Sequence, residues 1–246
     1  MAAELLSSAW PIIRFAEIDS TNEEARRRAV SGDTGPCWLM TDAQTAGRGR
    51  LGRQWSSPQG NLYATALLPY PRPAAEATVV PFAAGLAVID AAKAAGVDTA
   101  SLKLKWPNDL LAGGAKLSGI LIETGLLHGK LWMAAGFGVN VEVAPERPDR
   151  PTACLCGLPG GQGLTAPRLL AALDLAFRAR LYSLLNEGFE RVRTDWLGHA
   201  ANIGQPIEVN GQKGVMTGLA GDGALVLRLD DGSETHIRAG EISLLS

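Results

Sequence analysis

Cysteine is scarce in this 246-residue chain, with only Cys37, Cys154 and Cys156. An odd, sparse set is not the framework of a disulfide-stapled secreted domain. The Cys154-x-Cys156 pair has no second Cys/His cluster beside it, and His128, His199 and His236 are scattered. The four ligands of a closed zinc site are therefore missing. Excess charge is lacking too. Lysine plus arginine number 23 against 25 aspartates and glutamates, for a net charge of −2 and a pI near 6.0. Proteins whose partner is bulk DNA or RNA are usually basic, and aromatic residues at 6% leave little surface for base stacking. No run of about eighteen apolar residues marks a membrane span. The first fifteen residues, MAAELLSSAWPIIRF, carry neither the basic nor the long apolar region of a secretory signal. These absences predict a reduced, soluble, cytoplasmic protein with no membrane and no nucleic acid as partner.

What is present is a hydrophobic content of 46%, ample for a sizeable core. The order of patterns predicts a strand over Ile12–Ile18 and a helix from Asp19-Ser20-Thr21-Asn22-Glu23-Glu24 to Val30. Ser, Thr and Asn suit the free N–H groups of a helix start, and the glutamates suit its positive end. Strands are expected near Trp38–Thr41, Asn61–Leu68, Leu102–Trp106, Gly119–Glu123 and Leu131–Val141. The last two should form a hairpin across Thr124–Lys130. Val79–Ala95 and Ala166–Asn186 have helical periodicity, the second with Leu169, Leu170, Leu173, Ala176, Phe177 and Leu181 on one face. Helix continues over Phe189–Leu197. From Ile203 onward, short apolar pieces alternate with Gly/Asp turns, the rhythm of a small antiparallel β module. The expected division is a main domain over 1–201 and the module over 202–246.

Four segments carry chemistry. Gly47 to Arg53 reads G-R-G-R-L-G-R and runs into Trp55. Glycines let backbone approach a ligand, and arginines make forked, charge-assisted bonds to phosphate or carboxylate. Alone, this composition also fits a solvated loop or a nucleic-acid grip. Lys105-Trp106-Pro107-Asn108-Asp109 ends a strand in a stiff turn that projects polar groups. Lys116-Leu117-Ser118-Gly119 places a lysine at the start of an apolar strand and a glycine inside it, as where something approaches the backbone. Gly136-Phe137-Gly138-Val139-Asn140 repeats the glycine pattern without the strand–helix setting of a dinucleotide fingerprint.

In this order, and together with Ser20-Thr21-Asn22, Gln44 and Gly60-Asn61-Leu62-Tyr63, these blocks resemble the biotin protein ligase family. The resemblance spans roughly residues 12–141 by motif and extends more weakly to the C-terminal module. It implies an α+β fold: a mixed sheet core with helices like that of class II aminoacyl-tRNA synthetases, followed by a small SH3-like β-barrel. It implies an ATP-dependent ligase. Biotin and ATP give biotinyl-5′-AMP and pyrophosphate, and the biotinyl group then passes to a lysine of a carboxylase's biotin carrier domain. No enzyme nucleophile is needed, in keeping with the lack of a Ser/His/Asp or Cys/His set. The early position of Ser20-Thr21-Asn22 suggests a monofunctional member without the N-terminal DNA-binding domain. Homodimers occur in the family.

By motif position the resemblance implies that Ser20, Thr21, Asn22 and Gln44 hold the ureido head of biotin, with Gly47, Arg48, Trp55, Lys116 and Gly119 completing that site. Lys116 would bind the carboxylate and then the acyl-phosphate oxygen. Arg48 and Arg50 would clamp ligand and phosphate. Arg53, Asn61, Lys105, Asn108, Asp109 and Asn140 would serve ATP, and Asp109 could take the incoming lysine's proton. Magnesium is expected with ATP, though no carboxylate cluster identifies its ligands. Pro151–Leu155 lacks the aromatic residue that stacks on adenine in some members, and Leu110–Ala115 reads as a mobile, glycine-rich edge. The alternatives are a lipoate–protein ligase of the same fold and a nucleic-acid-binding module using the arginine loop.

Overall fold

A computed structural model describes residues 7–245. The reading of the first fifteen residues falls partly on residues 1–6, which lie outside the described residues. Strand β1 (Ile12–Ile18) leads into helix α1 (Thr21–Val30), which returns the chain to β2 (Cys37–Gln44), parallel to β1. Glu23 and Glu24 sit in the first turn of α1, and Arg27 and Arg28 in its last, matching the helix dipole at both ends. Ser20 stands at the N-cap, but its side chain makes no cap bond. The free amide of Thr21 instead donates to Gln44 Oε1 at 2.9 Å. The expected local cap is thus replaced by a tertiary contact, which draws the end of β2 to the start of α1.

Strand β3 (Leu62–Pro69) pairs antiparallel with β2. A 3₁₀ segment and helix α2 (Val80–Ala94) follow, and then β4 (Leu102–Lys105), β5 (Asp109–Ala112), β6 (Ala115–Leu127) and β7 (Lys130–Val139). The seven strands run in the order β1-β2-β3-β7-β6-β5-β4, mixed because only β1 and β2 are parallel. One expectation needs correction, the extent of the hairpin turn. The glycine-rich segment 110–115 comprises most of β5, a Gly113-Gly114 turn and the start of β6. Leu110 and Ala112 are buried there, but a strand of four residues beside two glycines is too short to register as alternation. The hairpin turn is His128-Gly129 alone, since Thr124–Leu127 still pair with β7. Leu126 is exposed there while Trp132 and Met133 on the facing strand are buried, so the two strands share no single alternation to read.

Helices α3 (Ala166–Glu187) and α4 (Phe189–His199) follow. Leu169, Leu170, Leu173, Phe177 and Leu181 of α3 are buried and Ala176 packs partly buried beside them. Each such Leu or Phe contributes about 1.5–3 kcal/mol. Residues 74–94 are apolar enough by length and composition to cross a membrane, but 67% of that window is buried inside the protein. It packs as a core helix.

The alternation of β7 sets the functional face. Met133, Ala135, Phe137 and Val139 join the main core with α2 and α3. Trp132 and Ala134 belong to the smaller cluster beneath Ala25 and Ala29 of α1. Gly136 and Gly138 continue that second face, where no side chain rises from the sheet. The C-terminal strands β8 (Pro206–Val209), β9 (Gln212–Leu219), β10 (Leu225–Arg228), β11 (Glu234–Ile237) and β12 (Ser243–Leu244) form an antiparallel sheet in the linear order β11-β10-β9-β8-β12. Its Ile207, Val209, Met216, Leu225 and Leu227 share the main core. The Trp106 indole N–H also donates to Gly223 O at 3.1 Å, tying the 105–109 turn to this sheet.

Candidate active site

Gly119 and Gly138 stand opposite each other on β6 and β7. A Cβ at Gly119 would lie 2.9 Å from Trp55 Cζ3, and one at Gly138 2.5 Å from Trp55 Cε2. The two glycines therefore make a bare floor on which the indole rests. To reach it, the arginine-rich segment folds back over the sheet. Gly49 N donates to Arg53 O at 2.7 Å and Trp55 N to Gly47 O at 2.9 Å, so the loop closes on itself. Under it is a cleft of about 130 Å³.

One end of the cleft is neutral and polar. Ser20, Thr21, Asn22 and Gln44 line it. Gln44 accepts from Thr21 N and donates from Nε2 to Ser57 Oγ at 3.1 Å. Asn22 donates to Glu123 Oε2 at 2.8 Å and to Leu121 O at 3.3 Å. The other end is cationic. Five arginines and two lysines line the cleft against two carboxylates, Asp109 and Glu241. Lys116 Nζ lies 2.6 Å from Asp109 Oδ1 and 5.5 Å from the centroid of the Trp55 ring. Burial pushes the Lys116 pKa down, and the Asp109 carboxylate opposes that shift. Arg50 Nη1 donates to Asn108 Oδ1 at 3.2 Å, and burial lowers the Arg50 pKa. Asn108 in turn donates to Ile120 O at 2.6 Å. Lys105 makes no ion pair among the described residues, although it lines the cleft. Arg53 pairs with Glu241, whose pKa the Arg53 hydrogen bond holds below the usual carboxylate range.

Most of the residues singled out from sequence converge here, and two do not. Gly47 and Asn61 do not line the cleft. Gly47 packs behind it, where a Cβ would lie 2.7 Å from Trp55 O. Asn61 is 2% exposed and fully engaged as a clamp on the chain after β7. Its Oδ1 accepts from the amides of Val141, Glu142 and Val143, and its Nδ2 donates to Val143 O at 2.9 Å. Asn140 reaches the cleft wall, but its amide donates to Ala153 O at 3.0 Å and Lys116 O at 3.4 Å. Arg48 turns partly outward, 3.0 Å from Glu23 and 3.7 Å from Glu123.

Sequence reasoning missed Arg147, Arg150, Thr152 and Glu241, all of which line the cleft. Thr152 bridges beside Lys116, with Lys116 N donating to Pro151 O at 2.9 Å and Ala153 N to Lys116 O at 3.0 Å. Arg150 Nη1 lies 3.6 Å from Glu241 Oε1 and 3.9 Å from Asp109 Oδ2. Two arginines in a proline-rich loop were a weak local signal. Glu241 had none, because it enters from the C-terminal sheet.

The arrangement can hold two anions side by side against fixed cations, with a neutral polar group anchored at the far end. It presents no nucleophile–base pair, so positioning and electrostatic stabilisation are the means available to it. Among the described residues, no group of three or more His, Cys, Asp or Glu could enclose a metal ion.

Residues 16–140 match the biotin/lipoate A/B protein ligase family, and residues 203–245 match the biotin protein ligase C-terminal domain. The chain is 37% identical to a biotin–[acetyl-CoA-carboxylase] ligase of Paracoccus denitrificans, over 93% of this chain and 98% of that protein. It is 34% identical to the corresponding ligase of Mycobacterium tuberculosis, over 79% of this chain and 72% of that protein. In structure it resembles the biotin protein ligase of Aquifex aeolicus in complex with biotin and ATP. The TM-score is 0.79 at 28% identity, covering 96% of this chain and 98% of that one.

Proposed function

This chain belongs to the biotin/lipoate A/B protein ligase family, and from that premise we propose how its cleft carries out biotin ligation. The chain is an enzyme, a biotin–protein ligase. Its substrates are biotin and ATP, and its product is a biotinylated carrier domain of a biotin-dependent carboxylase. The names of the similar proteins favour biotin over lipoate and over nucleic acid.

The reaction follows the two ends of the cleft. The ureido head of biotin sits at the Ser20, Thr21, Asn22 and Gln44 end, its fused rings against Trp55 above Gly119 and Gly138. A polar head in an apolar pocket requires such partners. Its carboxylate then reaches the cationic end. A carboxylate oxygen attacks the α-phosphorus of ATP, the bond to the β-phosphate breaks, and pyrophosphate leaves. Lys116 and Lys105 neutralise the carboxylate and the phosphoryl oxygens, Arg50 and Arg53 hold phosphate, and Asn108 orients Arg50. Arg147 and Arg150 offer planar guanidinium faces to the base, in place of an aromatic ring. The amine of a carrier lysine next attacks the acyl carbon, the C–O bond to AMP breaks, and Asp109 takes the proton. Both carboxylates that line the cleft stand beside cations, Asp109 by Lys116 and Glu241 by Arg53 and Arg150. Magnesium would come as part of the Mg·ATP substrate and would supply charge neutralisation there.

The observation that carries this reading is the junction of a neutral polar pocket and a cationic trough under one folded-back loop. Incubation of the protein with biotin, Mg·ATP and a biotin carrier domain tests it. The carrier is expected to gain the mass of one biotinyl group at a single lysine. No gain, with the enzyme folded and all substrates present, refutes the reading.

A further inference from the structure

Thr65 is fully buried in the middle of β3 and does not line the cleft. We propose that Thr65 nevertheless sets what the Thr21 hydroxyl can bind: it makes Thr21 a hydrogen-bond acceptor, selecting a ligand that presents an N–H group there. The inference rests on the reading above that this end of the cleft takes the cyclic urea of biotin.

The argument is a count of protons along a chain of contacts. Asn22 Nδ2 lies 2.8 Å from Glu123 Oε2 and 3.3 Å from Leu121 O. A carboxylate and a carbonyl only accept, so the amide is fixed with its NH₂ toward them and its Oδ1 toward Thr65. Gly136 makes room for this pose, since a Cβ there would lie 2.1 Å from Asn22 Oδ1. Thr65 Oγ1 is 2.6 Å from Asn22 Oδ1, which can only accept, so Thr65 spends its single proton on that bond. Thr65 Oγ1 is also 2.8 Å from Thr21 Oγ1. Two hydroxyl oxygens this close share a proton, and the remaining one belongs to Thr21. Thr21 therefore donates to Thr65.

The competing acceptor is Gln44 Oε1, at a longer 3.3 Å from Thr21 Oγ1 and already served by Thr21 N at 2.9 Å. That backbone bond also fixes the Gln44 amide, whose Nε2 gives one proton to Ser57 Oγ. With both hydroxyl protons consumed inward, Thr21 has only lone pairs to offer the cleft. A urea N–H satisfies them. A ring oxygen in its place sets lone pair against lone pair, and the wiring blocks the rotation that would relieve the clash. Thr65 is thus a positioning residue, acting through Thr21 and Asn22.

The test is calorimetric binding of biotin and of its two cyclic-carbamate analogues, each with one ureido N–H replaced by oxygen. It uses the wild-type protein, Thr65→Val and Thr65→Ser. Wild type is expected to bind one of the two carbamates roughly 10- to 100-fold more weakly than biotin. Thr65→Val keeps the branched shape but frees the Thr21 proton, so that ratio should fall below about fivefold. Thr65→Ser restores the hydroxyl and should restore the ratio. A merely structural role would weaken all ligands together and leave the ratio alone. Wild type binding both carbamates as tightly as biotin overturns the proposal without any variant. A Thr65→Val protein that binds biotin with the wild-type ratio overturns it as well. Failure of the folded wild type to bind biotin at all instead refutes the reading of the cleft on which the inference rests.

Discussion

Gly138→Ala tests the floor of the cleft with a single methyl group. The added Cβ would lie 2.5, 2.7 and 2.8 Å from three atoms of the Trp55 indole. Ordinary carbon contacts are about 3.5–4.0 Å, so something must move by roughly 1 Å. The strand cannot recede, because Gly138 is paired with Tyr63 on one side and Gly119 on the other. The indole can, because its Nε1 has no hydrogen-bond partner among the described residues and packing alone seats it. Overpacking of this kind costs about 1–3 kcal/mol. Borne by the ring that walls the biotin site, that cost raises the biotin KM about 5- to 150-fold. If it falls on the fold instead, each kcal/mol lowers Tm by about 2–4 °C. The assay is biotin-dependent ATP–pyrophosphate exchange, with thermal melting alongside. Gly218→Ala is the control, since a Cβ there meets nothing within 4 Å. A wild-type KM in a normally melting Gly138→Ala protein would refute the seating of Trp55 as a wall of the biotin site.

Lys116→Ala should reduce pyrophosphate exchange at least ~100-fold, as loss of a transition-state charge partner does. The fold should persist, because Arg150 also lies within 3.9 Å of Asp109; near-normal exchange would remove Lys116 from the mechanism. Lys105→Ala, tested in parallel, shows whether the unpaired lysine carries the larger share. Arg50→Gly should loosen retention of the adenylate, giving more biotinylation of bystander lysines by mass spectrometry; no increase over wild type contradicts the clamp. The Arg27 hydrogen bond holds the Asp19 pKa at about 2, below its ordinary 3.8. A depressed carboxylate pKa stabilises the fold above the unfolded value and loses that contribution as pH falls through the folded one. Asp19→Asn should therefore flatten the fall in Tm between about pH 4 and pH 2; an unchanged slope speaks against it.

The buried face of α3 was legible because its apolar spacing is regular and long. Ile12–Ile18 was legible from its apolar content, although none of its residues is buried. β5 was hidden because its alternation covers only four residues, and the extent of the hairpin because Leu126 is exposed while Trp132 and Met133 opposite are buried. At the site, the motif glycines were readable as places of close approach, and the structure supplies the groups that approach: Trp55 at Gly119 and Gly138, Asn22 at Gly136. What stayed illegible was long-range. Thr65 meets Thr21 and Asn22 across 44 and 43 residues, and Glu241 meets Arg53 across 188. No periodicity or local motif encodes such meetings. Asn61 and Asn140 show a further gap, since nothing in their motifs announced the backbone groups that their side chains hold.

The central claim is that the cleft joins biotin to AMP. ATP–pyrophosphate exchange measured separately with biotin and with lipoate addresses it most directly. Label should exchange into ATP with biotin and not with lipoate, before any carrier protein is added. Exchange with lipoate alone, or with neither acid, would contradict the account.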